Sequence, residues 1–175
     1  PSGILYSTAG TKTITLTISD ANCSATSTQT ITVNASPIAS FTSNAPICTN
    51  DSVNFQNTGT SSGATYAWTF GSGSAPPTSV TQNPMGIMYS TSGIKTVTLI
   101  TSMSGCGDTS IQTILINQTP SVSFTSTAPQ CGGNSVNFSN TGSTGGNWTF
   151  SWSFGAGATP QTSNNENPNS VIYST

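Results

Sequence analysis

The sequence predicts an all-β chain built from tandem two-sheet β-sandwich domains of about seven strands each. Three observations predict it. Short runs alternate a β-branched polar residue with an apolar one, as in Lys12-Thr-Ile-Thr-Leu-Thr-Ile18 and again from Lys95 to Leu99, which is how a half-buried strand reads. Gly, Pro and Asn punctuate these runs at Asn57-Thr-Gly59, Gly71-Ser-Gly73, Asn83-Pro84, Ser92-Gly93 and Ser104-Gly105, the residue types that turns select. The chain also repeats itself at a long, constant offset. No stripe of helical period is present, and good helix formers are scarce.

The repeat sets the domain organisation. Tyr6-Ser-Thr-Ala-Gly10 returns as Tyr89-Ser-Thr-Ser-Gly93, and Tyr173-Ser-Thr175 opens a third copy. Phe41 to Cys48 returns as Phe124 to Cys131, Ser52 to Gly59 as Ser135 to Gly142, and Trp68 to Gly73 as Trp152 to Gly157. The offset is 83 residues, rising to 84 after one inserted residue near Gly145. That period is too long for a solenoid repeat and suits a small domain. Breaks are expected at Ala35-Ser36-Pro37 and Gln118-Thr119-Pro120. Residues 1–34 then form the tail of one domain, 37–117 a complete domain, and 120–175 the front of a third. Pro168–Thr175 aligns with Pro1–Thr8, so the expectation is a window on a longer polypeptide.

Within 37–117 the alternation assigns each strand an inward face. The first carries Ala39 and Phe41, the second Val53 and Phe55, the third Tyr66, Trp68 and Phe70. A weak fourth falls at Ser79–Thr81. Ile87 and Tyr89 mark the fifth, Val97 and Leu99 the sixth, Ile114 and Ile116 the seventh. The expected core is an aromatic cluster around Trp68, Phe70, Phe41, Phe55 and Tyr89, with Trp152 and Phe154 as counterparts in the next copy. Such a core is small for an independent domain, and further staples would help it.

Composition removes several function classes. The chain has six charged residues, Lys12, Lys95, Asp20, Asp51, Asp108 and Glu166, and no histidine. Two cations are no footprint for nucleic acid or an anionic membrane. Four acids without histidine leave little for acid–base catalysis, and no nucleophile–base pair or phosphate loop is visible. No apolar run approaches the roughly 20 residues of a membrane-spanning helix. Ser, Thr and Asn supply 78 of the 175 residues. A mucin-like stalk would match that count but would not carry alternating aromatic and β-branched residues. No enzyme activity, cofactor or metal site is expected.

The segment Tyr66-Ala-Trp-Thr-Phe-Gly-Ser-Gly73 resembles the "WDFGDG" segment of polycystic-kidney-disease-type (PKD) domains. Asn83-Pro84, Tyr89 and Gly93-Ile-Lys-Thr-Val-Thr-Leu99 resemble the "NP…Y…GxYxVxL" segment that follows it. The likeness runs in phase through all three copies. It implies an immunoglobulin-like β-sandwich of the kind found in large bacterial surface proteins, adhesins and secreted hydrolases, and hence an extracellular or cell-surface location. Two positions depart from the pattern. The family's acids are Thr69 and Ser72 here, and Ser153 and Ala156 in the next copy, so no cation-binding role carries over. The aromatic after the glycine is replaced by Lys95, or by Lys12 in the first copy, expected on an outward position where lysine keeps a sheet edge soluble.

Cys23, Cys48, Cys106 and Cys131 stand at two positions per period. Their spacing is not that of a zinc site; in an extracellular chain they are disulfide candidates. One pairing joins Cys48 to Cys106 within a domain. In the implied topology, however, these lie at opposite ends of strands spanning roughly 25 Å, against the roughly 7 Å Cα separation that a disulfide allows. The alternative joins Cys48 to the Cys106 counterpart of the following domain, clamping each junction.

Other motifs have plain readings. Asp51-Ser-Val53 resembles a short bacterial O-glycosylation sequence, making a glycan a candidate partner, but a turn aspartate before a strand explains it as well. Asn22, Asn34, Asn50, Asn117, Asn137 and Asn147 match N-x-Ser/Thr, as expected by chance in so Ser/Thr-rich a chain. An intramolecular isopeptide bond at Lys95 needs a buried lysine and a catalytic acid, and no acid recurs with the period. Leu5, Met88 and Ile172 recur beside the tyrosine of each fifth strand as outward apolar residues, candidates for lateral contacts. The function these features suggest is a segment of a long surface fibre or stalk of tandem sandwiches, its partners being neighbouring copies of the repeat. Two alternatives stand beside it: a spacer or carbohydrate-contact module of a secreted hydrolase, and a filament of short chains joined by strand complementation.

Overall fold

The computed structural model describes residues 2–174; Pro1 and Thr175, the outer ends of the overlap noted above, lie outside them. Strands and turns account for the regular structure, and the described residues contain no helix. The chain divides into two compact units, one running to Gln118 and the other starting at Thr119.

The first unit opens with a long hairpin, β1 (Gly10–Ser19) and β2 (Ser24–Val33). The sandwich follows. Its larger layer has the order β4 (Ile47–Cys48), β12 (Cys106–Asn117), β11 (Gly93–Met103), β7 (Thr65–Thr69) and β9 (Thr78–Ser79). The facing strands are β3 (Phe41–Ser43) paired with β6 (Phe55–Asn57), and β5 (Ser52–Val53) paired through β10 (Ile87–Tyr89) to β8 (Ser74–Ala75). All pairs are antiparallel except β4 with β12, where Asn117 is the partner of Cys48. The two layers bury Phe41, Val53, Phe55, Tyr66, Trp68, Phe70, Ile87, Tyr89, Val97, Leu99, Ile114 and Ile116 in one core. The Trp68 indole donates Nε1–H to Thr81 O at 2.9 Å, meeting the need of a buried polar tip for a partner.

Gly59 shows why a side chain is excluded at one turn: a Cβ there would collide with the backbone carbonyl of Ile38. The turn is thereby pressed against the incoming chain, and Thr60 N bonds Ile38 O at 2.8 Å. Gly142 faces Ser121 O in the same way in the second unit.

Several elements differ from the sequence expectation. Ala39 packs against the core but precedes the first strand. The second strand is split at Asn54, whose side chain accepts a bond from Gly86 N and whose backbone N–H goes to Asn44 Oδ1. The weak fourth strand is Thr78–Ser79, because Trp68 pairs with Ser79. Lys95 requires correction: it points inward and is 5% exposed. On β11 the alternation runs Lys95, Val97, Leu99, Thr101, all buried. The lysine stem lies in the sandwich while Nζ reaches Thr91 Oγ1 at 2.7 Å and sits 5.9 Å from the Tyr89 ring centroid, a snorkelling arrangement with a cation–π contact.

The second unit comprises β13 (Phe124–Ser126), β14 (Ser135–Val136), β15 (Phe138–Asn140), β16 (Trp152–Ser153), β17 (Ala158–Thr159), β18 (Thr162–Ser163) and β19 (Val171–Tyr173). It repeats the first unit's pairings: Phe124↔Asn140 matches Phe41↔Asn57, and Trp152↔Ser163 matches Trp68↔Ser79. Among the described residues it shows no counterpart of the β11–β12 hairpin. The strand carrying its tryptophan is correspondingly cut to two residues, against five in β7.

Candidate assembly interface

Among the described residues, the second unit presents an apolar cleft. A cleft of about 690 Å³ is lined by Val122, Phe124, Phe138, Trp148, Trp152, Phe154 and Tyr173, among others. Phe124 is 56% exposed, whereas its counterpart Phe41 is 3% exposed. Even so, the aromatic cluster holds the geometry of the closed sandwich. Ring centroids of Phe138 and Phe154 are 5.0 Å apart, those of Phe55 and Phe70 5.1 Å. Phe124–Trp152 is 5.2 Å, Phe41–Trp68 5.1 Å. Trp152 donates to Asn165 O at 2.8 Å and Tyr173 to Phe154 O at 3.1 Å, as Trp68 and Tyr89 do to Thr81 and Phe70. The cleft is preformed, and preorganisation lowers the cost of filling it.

The β1–β2 hairpin has the opposite shape. Its register runs from Gly10↔Val33 to Ser19↔Ser24, that of β11–β12 from Gly93↔Ile116 to Met103↔Cys106. Shifted by 83 residues, the two registers coincide. The positions filled by Val97, Leu99 and Ile114, buried in the sandwich, are filled in β1–β2 by Ile14, Leu16 and Ile31, at 42%, 60% and 42% exposure. Lys12 repeats Lys95: its Nζ bonds Thr8 Oγ1 at 2.8 Å, as Lys95 bonds Thr91. The β1–β2 face and the cleft of residues 119–174 thus correspond to different parts of the first unit's sandwich.

The remaining named residues are placed as follows. Leu5 is exposed, and Met88 and Ile172 are partly so, at 47% and 41%; β10 and β19 turn them away from the core. Asp51 lies in the turn closed by its own N–H to Cys48 O. The four cysteines are free thiols, Cys23 and Cys131 exposed, Cys48 and Cys106 partly so. Cys48 stands beside the last residue of β12 and Cys106 is its first. Eleven residues of extended strand therefore separate them, roughly 36 Å, which places a bond between them out of reach.

Sequence reading missed Trp148 as a cleft residue, because the insertion near Gly145 hides its phase. It also missed the two-residue strand β4 and the role of Asn34, whose side-chain amide donates to Ser104 O at 2.7 Å. The hairpin face was signalled by aligning Ile14 and Leu16 with Val97 and Leu99.

Among the described residues no group of three or more His, Cys, Asp or Glu is placed to hold a metal, and no helix is long and apolar enough to cross a membrane. A search of curated proteins found no match to the chain. Residues 34–116 match the family model of the PKD domain, a span that starts at the linker before β3 and ends one residue short of the end of β12. PKD domains are generally non-catalytic immunoglobulin-like modules, typically extracellular and of a structural or adhesive kind. Residues 34–116 are thereby recognised as a PKD-type domain.

Proposed function

We propose that this stretch is a structural segment of a long extracellular or cell-surface fibre, in which PKD-type sandwiches follow one another head to tail and support adhesion or surface assembly. The observation that supports this reading is the repetition of one set of pairings along the chain: the β1–β2 register coincides with that of β11–β12, and the pairings of residues 119–174 repeat those of the first unit's sandwich. Burying three or four aliphatic side chains in the cleft is worth on the order of 1.5–3 kcal/mol each before association costs. Low charge suits the dense packing of such strings, since little self-repulsion opposes it.

The same observation favours a second form of the reading, in which separate chains join because one copy's hairpin fills another's cleft, as in strand addition generally. Electron microscopy of the mature polypeptide tests the shared claim: beaded strings support it, and isolated compact particles contradict it. The denatured mass of the mature polypeptide separates the two forms. A very large species means one chain of many modules, and a species near 17.8 kDa means subunits.

A further inference from the structure

We propose that the cysteines form disulfides between successive modules, joining the Cys48 position of one module to the Cys106 position of the next. The inference rests on the head-to-tail reading above. Two contacts place these thiols at one junction. First, in the complete module Cys48 is the cross-strand partner of Asn117, and Thr49 N bonds Asn117 O at 2.8 Å. This end of the module is where its chain leaves. Second, Asn34, the counterpart of Asn117 one period earlier, donates to Ser104 O at 2.7 Å. Ser104 is in the turn that opens onto Cys106, and Ala39 N bonds Asp108 Oδ2 at 2.8 Å beside it. This end of the module is where its chain enters.

The two contacts share one residue position. A front half seated on β1–β2 brings its Cys48-type thiol beside Asn34, about one strand spacing away, and Asn34 already touches the Cys106 turn. In the second unit that thiol is Cys131. Its turn is already formed: Asn134 N bonds Cys131 O at 3.0 Å, as Asp51 N bonds Cys48 O at 3.2 Å. For two copies joined through hairpin and cleft, the links are Cys131 of one to Cys106 of the other, and Cys48 of the first to Cys23 of the second. Each link forms one S–S bond from two thiols by exchange with a disulfide-bearing oxidoreductase or a small-molecule disulfide. The oxidant's two sulfurs leave as thiols and take up the two protons and two electrons.

The test uses the 175-residue chain, oxidised with glutathione disulfide and digested with pepsin without reduction. The expected result is a ladder of disulfide-linked multiples on a non-reducing gel, yielding Cys131–Cys106 and Cys48–Cys23 peptides. The Cys23→Ser, Cys106→Ser double variant should still assemble but run as a single chain on that gel. Sedimentation in reducing buffer reports assembly separately. An assembled chain with four free thiols, or with Cys48 joined to Cys106, overturns the clamp and leaves the fibre reading standing. A chain that stays monomeric, reduced or oxidised, overturns the clamp between copies and the separate-subunit form of the fibre reading.

Discussion

The hydroxyl of Tyr89 donates a 2.7 Å hydrogen bond to the backbone carbonyl of Phe70, inside the sandwich and with no exposed surface on the tyrosine. It ties β10 to the end of the tryptophan strand, across the two layers. Burial pushes the Tyr89 phenol up from 10.0 to about 12. An unfolded chain releases that proton near pH 10 and the folded one only near pH 12. The folded state therefore loses stability as pH rises through this window and keeps the full contribution below it. Thermal unfolding should show a falling Tm between pH 10 and 12. Tyr89→Phe should remove this component of the fall while lowering stability at neutral pH by about 1 kcal/mol, since Phe70 O loses its donor. An unaltered alkaline slope in the variant would contradict the assignment.

Thr101 is fully buried on β11, and its Oγ1 has no hydrogen-bond partner. The counterpart one period earlier is Ile18. A buried hydroxyl without a partner costs about 1–3 kcal/mol, and valine has nearly the same shape. Thr101→Val should raise the midpoint of chemical denaturation, by about 1 kcal/mol in stability. A lower midpoint would show that the hydroxyl finds a partner after all.

The two tryptophans should respond unequally. Trp68 is 1% exposed, and replacing it with alanine should cost about 3–5 kcal/mol through lost burial and the cavity left behind. Trp152, half-buried on the open cleft, should cost less in the dilute chain. Its cost should grow as concentration rises and the cleft fills, which denaturation at two concentrations will read.

Met88 lies on β10 next to the buried Tyr89 but faces outward. If strings associate side by side through such residues, Met88→Asp should separate them without shortening them, since Met88 pairs only with Ser52 and Ala75 at the backbone and its side chain faces away from the core. Microscopy showing unchanged bundles would remove Met88 from the lateral contact.

The parts of this fold that sequence could show are those with a local period. Val97 and Leu99, or Ile14 and Leu16, declare a strand and its inner face within five residues. The long offset declared the module. What stayed hidden depends on distant partners. Lys95 reads as a surface residue until the Thr91 hydroxyl and the Tyr89 ring are seen to receive it. Cys48 joins a strand only because the end of β12, Asn117, arrives beside it from much further along the chain. Trp148 has no phase of its own, and only the structure shows the cleft that it lines. For the assembly face, repetition told which residues correspond, and the structure added that one set is uncovered.

In a string of separate chains, hairpin β1–β2 of one copy and the cleft of residues 119–174 of another close on each other within one sandwich. Amide hydrogen exchange over Thr15–Ile18, measured on dilute and concentrated chain, tests it directly. Their counterparts Thr98–Thr101 are paired to β7 in the complete module. Protection at alternate amides should appear on concentration and vanish in Leu16→Asp, while Thr98–Thr101 stay protected throughout. Exchange over Thr15–Ile18 that is fast and independent of concentration would contradict the account.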